Sequence, residues 1–170
     1  MPRRKILSDA EVLKATRQLF ATGGEKAISF GNLSRATGLA ASTLAQRFGS
    51  VERLQGAAAR NGWEEIGARL EVADQASQGK GPQALLKALE DGPEGGSVHI
   101  AGLILLSQRD PAALEAATTW RCQVEMQLAL RIGQGEKARQ AAQILFAAWQ
   151  GKLVWGIGDL RLKDLVKRLG

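Results

Sequence analysis

The sequence predicts an all-α protein of about nine helices. They divide into a three-helix domain over residues 1–50 and a larger helical domain over residues 51–170. Three observations lead there. Apolar residues recur at three- and four-residue spacing in segment after segment. The breaks between segments carry helix punctuation, with Ser, Asp or Pro at starts and Gly at stops. Alternation at period two persists nowhere, so no strand is predicted.

Each helix follows from local residues. Ser8 and Glu11 form a capping box, and Val12, Leu13, Thr16, Leu19 and Phe20 then repeat at helical spacing up to Gly23-Gly24. Ser29 caps a short second helix, roughly Phe30 to Thr37, with Leu33 and Ala36 facing inward. Gly38 breaks it, and a third short helix runs from Ala41 to Phe48. Ser50 caps a long fourth helix from Val51 to about Asp74. Pro82 suits the first position of a fifth, striped by Leu85, Leu86 and Leu89. Val98 to Ser107 is apolar nearly all round and reads as a buried helix. Asp110-Pro111 opens a long helix to about Ile132, and Glu136 to Trp155 forms another. Asp159 caps the last, with Leu162, Leu165, Val166 and Leu169 inward.

Composition narrows the function. The 170 residues are 45% hydrophobic and 24% charged, as in an ordinary globular chain. One cysteine, Cys122, excludes a disulfide framework and a multi-cysteine zinc site within one chain. One histidine, His99, and no Tyr leave little for a catalytic constellation, so an enzyme is not expected. No metal site and no cofactor are expected either. No apolar run approaches the ~20 residues of a membrane span, and no apolar stretch follows the basic start. A cytoplasmic, reduced setting without a membrane partner is therefore expected. The net charge of +6 is uneven: through Leu54, nine Lys or Arg face four acids, which places +5 in the first third. That asymmetry fits a polyanion partner, and fits equally a solvated basic face.

The second and third helices, joined through Gly38-Leu39-Ala40, have the spacing of a helix-turn-helix. Leu33, Ala36, Leu39, Leu44 and Phe48 would close a small core against Leu13, Leu19 and Phe20. Ala41, Ser42, Thr43, Ala45, Gln46 and Arg47 would stay on the open side of the third helix, free to enter a major groove. A helical hairpin inside a bundle core has the same pattern.

Residues 8 to 54 resemble the N-terminal domain of the TetR/AcrR family of bacterial transcriptional regulators. Leu33, Ala36, Gly38, Thr43, Leu44, Phe48, Ser50, Glu52 and Leu54 fall into register with the family pattern. The resemblance implies a helix-turn-helix DNA-binding domain followed by a ligand-binding and dimerisation domain. It also implies a homodimer, usually a repressor, that binds a pseudo-palindromic double-stranded operator and is released by a small molecule. The DNA-binding residues are then Ser29, Ala41, Ser42, Thr43, Gln46 and Arg47, with Arg3, Arg4 and Lys5 reaching along the backbone. Three positions depart from the pattern: Ala45 replaces the usual Tyr, Arg47 the usual His or Tyr, and Val51 the usual Lys.

In the larger domain, the resemblance implies a mainly apolar ligand among Trp63, Ile66, Leu70, Leu89, His99, Leu103, Trp120 and Val124. Those residues also suit a plain core. The stripe of Ala141, Ile144, Leu145, Ala148, Gly151 and Trp155 contains small residues that admit a neighbouring helix. The resemblance implies a dimer contact at the last two long helices, here through Ile144, Ala148, Gly151 and Trp155; the stripe alone would equally serve a monomer core. Cys122 reads as packing, with a thiol sensor as the alternative. The competing function is a DNA-bound adaptor that acts through protein partners without small-molecule control.

Overall fold

In a computed structural model, the chain is described over residues 7–91, 96–158 and 160–169, with side chains at all of these except 96–99, 166, 168 and 169. The described residues form nine α-helices and no strand: α1 (Asp9–Gly23), α2 (Phe30–Thr37), α3 (Ala41–Phe48), α4 (Val51–Ala76), α5 (Pro82–Glu90), α6 (Gly96–Ser107), α7 (Pro111–Ile132), α8 (Gly135–Trp155) and α9 (Leu162–Leu169). A 3₁₀ turn at Glu25–Ala27, which the sequence pattern does not reveal, leads into α2. The side chain of Asn32 holds it there, its Nδ2 donating to the Ala27 carbonyl at 2.8 Å.

The predicted caps form. The Ser8–Glu11 capping box closes α1, and Ser29 Oγ accepts the Asn32 N–H at 3.1 Å. Ser50 Oγ accepts the Arg53 N–H at the start of α4, and Asp110 Oδ1 accepts the Ala113 N–H at the start of α7. Each such cap contributes about 1 kcal/mol by satisfying an N–H that the helix itself cannot. The proposed cap at Asp159 and the inward positions Val166 and Leu169 lie outside the described residues or side chains.

The chain divides into two compact units, Met1–Glu64 with Gly102–Ala116, and Glu65–Ala101 with Ala117–Gly170. In the first, Val12, Leu13, Ile28, Leu33, Leu44 and Leu54 are buried. Arg17 adds a polar tie, reaching the Ala58 carbonyl and Asn61 Oδ1 at 3.2 and 2.8 Å. In the second, Leu85, Leu86, Val124, Leu128, Leu145 and Trp149 are buried. Burying each of these side chains contributes about 2 kcal/mol. Trp149 Nε1 donates to Glu90 Oε1 at 2.8 Å, and Arg131 Nη2 to Asp74 Oδ1 at 2.5 Å.

Two packing expectations are overturned. Ala36 is exposed. On a two-turn helix the residue four after Leu33 lies nearer its face than the residue three after, so Thr37 takes the inner position and its hydroxyl donates to the Leu33 carbonyl at 2.7 Å. The helix read as buried all round is covered on one side only. Ile100, Leu103, Leu106 and Ser107 face inward, while Ile104 and Leu105 are exposed, Leu105 at 63%.

Candidate nucleic-acid interface

The helix-turn-helix is set by α2, Gly38 and α3. Gly38 has φ 75°, a left-handed conformation that Gly adopts without steric cost, and its N–H closes α2 on the Ser34 carbonyl at 2.8 Å. Leu33 and Leu44, both fully buried, fix the two helices in the core of the first unit. That anchoring turns the other side of α3 outward. Ala41, Ser42 and Gln46 are exposed there, and Thr43 and Ala45 are half-buried. The row combines small residues that permit close approach with polar groups able to meet base edges.

Arg47 is placed differently from the other predicted contacts. Its Nε donates to Asp9 Oδ1 at 2.9 Å, its Nη2 pairs with the same carboxylate oxygen, and its Nη1 donates to the Leu7 carbonyl at 3.1 Å. The guanidinium carbon sits 5.6 Å from the Phe48 ring centre, and only 26% of the side chain is exposed. The last turn of α3 is thereby tied to the start of α1. Nothing within the third helix signals this pair, because Asp9 lies 38 positions earlier. Ser29 is half-buried, its oxygen engaged as the α2 cap. Arg3, Arg4 and Lys5 lie outside the described residues. Counting charge also overstates the free basic surface, since Arg17 is bonded inside the unit.

The predicted ligand residues other than His99 are buried, and the two described clefts run elsewhere. Trp63 and Leu103 lie in the first unit, where Trp63 Nε1 donates to Ser107 Oγ at 2.9 Å and Ser107 Oγ donates to the Leu103 carbonyl at 2.6 Å. Ile66, Leu70, Leu89, Trp120 and Val124 lie in the second, where Trp120 meets Phe146 edge to face at 6.0 Å. The side chain of His99 lies outside the described set. Neither cleft is lined by any of the described ones among these residues. One cleft, about 500 Å³ in the second unit, runs between α7 and α8 past Cys122, Met126, Leu130 and Ala138. Cys122 is exposed, which corrects its reading as a packing residue: the buried stripe of α7 passes through Trp120, Val124 and Leu128 instead.

The second cleft, about 540 Å³, belongs to the first unit. Phe20, Leu105 and Leu106 supply apolar wall, and Glu25, Glu52, Gln55, Arg109 and Asp110 supply polar groups. Arg109 Nη1 donates to Glu25 Oε1 at 2.5 Å, and Arg60 pairs with Asp110. Hydrogen bonds from its own backbone N–H and from the Ser50 hydroxyl hold the Glu52 carboxyl below the usual range. For Asp110, burial acts upward, but the Ala113 N–H and Arg60 together outweigh it and lower the pKa.

Along α8 the predicted stripe divides. Ala141 and Leu145 turn inward, whereas Ile144 and Trp155 are exposed and Ala148 and Gly151 half-buried. The four residues expected at a dimer contact therefore share the outer side. Among the described residues, no helix is long and apolar enough to cross a membrane.

No family sequence profile matches the chain, and no curated protein matches it by sequence. Solved structures match it closely in shape. A transcriptional regulator from Rhodococcus sp. Rha1 superposes with a TM-score of 0.71 at 19% identity, over 96% of this chain and 92% of that one. The multidrug binding protein EbrR, solved with imidazole, gives 0.68 at 19% identity over 96% and 94%. The TetR family regulator PfmR from Thermus thermophilus gives 0.62 at 16% identity over 92% and 93%. The chain has the fold of TetR-type transcriptional regulators, a helix-turn-helix domain joined to a helical domain.

Proposed function

We propose that this chain is a homodimeric transcriptional regulator, a repressor, that binds a pseudo-palindromic DNA operator through α3. One observation carries the reading: α3 is held by buried Leu44 while Ala41, Ser42 and Gln46 are exposed, a small residue beside two polar ones. The likeness in fold to transcriptional regulators supports it. Residues 1–50 act as the DNA-binding domain and residues 51–170 as the ligand-binding and dimerisation domain. Thr43 contacts a phosphate or a base, Ser29 and the tail Arg3, Arg4 and Lys5 contact the backbone, Ala41 allows close approach, and Ser42 and Gln46 read bases. Arg47 joins them after leaving Asp9. Two copies place their α3 helices about 34–36 Å apart, one turn of DNA. A mainly apolar effector bound in the larger domain changes that spacing and releases the operator. The protein works in the cytoplasm by binding, and no reaction is assigned to it.

Selection of bound duplexes from fragments of the source genome tests the proposal, followed by titration of the winner at several salt concentrations. The expected result is a pseudo-palindrome bound at nanomolar Kd, with log affinity falling steeply against log salt. Failure to enrich any fragment over random DNA rejects operator binding and leaves the adaptor that acts through protein partners.

A further inference from the structure

The cleft of the first unit is built unlike a packing fault. Leu105 stands 63% exposed beside Phe20 and Leu106, which leaves an apolar wall against solvent. Opposite in character is Gln55, only 8% exposed, which lines the same space. Its amide makes no hydrogen bond to any described residue. Its polar atoms are not shut off from water, so a bound polar group would take the place of water on that amide. The ionisable lining consists of three carboxylates and one guanidinium. Arg109 is engaged by Glu25, and Asp110 by Arg60. Glu52 accepts a hydrogen bond from the Ser50 hydroxyl and feels the charge of Arg109, but forms no ion pair at contact distance among the described residues. The lining is thus net negative inside a unit whose sequence is net positive. Its volume of about 540 Å³ suits a small organic molecule.

We infer that this cleft is a binding site for an amphipathic organic cation. Its apolar body lies against Phe20, Leu105 and Leu106, its ammonium faces Glu52, and a donor or acceptor near the junction meets the Gln55 amide. An anion is disfavoured because the one lining guanidinium is already paired. The site is distinct from the buried residues of the proposed effector region, and its occupancy does not depend on DNA binding.

The test uses the full chain without DNA and three probes that share one body: phenylbutylamine, phenylbutanol and phenylbutyrate. Binding is followed by amide and methyl resonances in two-dimensional NMR titrations. The expected order is amine, then alcohol, then acid, with shifts centred on Gln55, Gly56, Leu105 and Leu106. Glu52→Gln should remove the advantage of the amine over the alcohol, a change of about threefold to fivefold. Leu105→Ser, at an exposed position, should weaken amine and alcohol alike. Resonances elsewhere should stay in place in both variants, which separates loss of the site from loss of the fold. Equal binding of amine and acid, shifts confined to the second unit, or affinities that neither substitution alters would each overturn the proposal. Operator selection can succeed or fail whichever result is obtained.

Discussion

Asp9 and Arg47 place a choice at one guanidinium. Bonded to Asp9 and the Leu7 carbonyl, Arg47 stiffens the end of α3; released, it adds a cation beside the proposed DNA-reading row. Replacing the acid shifts that balance. Asp9→Asn should raise DNA affinity about twofold to fivefold and steepen the slope of log affinity against log salt by about one, as one more phosphate is met. Arg47→Ala should then lower both. An unchanged salt slope in Asp9→Asn would assign Arg47 to packing alone. Asp9 also lies in the first turn of α1, where a carboxylate favours the helix by about 0.5 kcal/mol, so a slight fall in Tm accompanies the change. The role of Arg47 was half legible in advance. Its place near the end of a short helix follows from spacing, but its bond to a residue 38 positions away depends on how α1 and α3 are brought together.

At the scale of elements, α4 shows why identical residues in one helix have opposite effects. Gly67 has open space where a Cβ would go. Gly56 faces the Asp110 carboxylate, which the Ala113 N–H and Arg60 hold in place, and a Cβ there would collide with it. Gly67→Ala should therefore raise unfolding stability by up to about 1 kcal/mol, the ordinary gain from a better helix former. Gly56→Ala should lower it by about 1–3 kcal/mol, the cost of overpacking. Denaturant titration of the two variants checks both signs, and a stabilised Gly56→Ala would mean that Asp110 yields easily. The α6 helix gives the complementary lesson. Ten mostly apolar residues in a row set no direction by themselves, and the exposure of Ile104 and Leu105 is decided by which neighbours cover the other side.

For the whole molecule, the outer side of α8 bears on assembly. Trp155 is 80% exposed and Ile144 is exposed on the same helix, a costly arrangement for a lone chain in water. Half-buried Ala148 and Gly151 between them leave room for a second helix to come close. If the proposed dimer packs on this face, the double substitution Ile144→Lys with Trp155→Lys should convert it to a monomer at micromolar concentration in sedimentation equilibrium, with helical circular dichroism unchanged. Operator affinity should fall with it, because one half-site alone remains engaged. A variant that still sediments as a dimer would move the interface off this face.

Periodicity, caps and Gly or Pro breaks determined the helix content, the order of the nine helices and the helix-turn-helix spacing, because each depends on contacts within a few residues. Ser8 with Glu11, Ser29, Gly38 and Pro82 did this locally, and all act in the structure as their types require. The tertiary structure alone decided which apolar side chains are covered, that Arg17 and Arg47 are bonded internally, that Cys122 faces solvent, and that Gln55 lines a cleft. Each of these depends on residues far apart in the chain meeting in space, and burial and long-range ion pairing leave no periodic mark in the residues that take part.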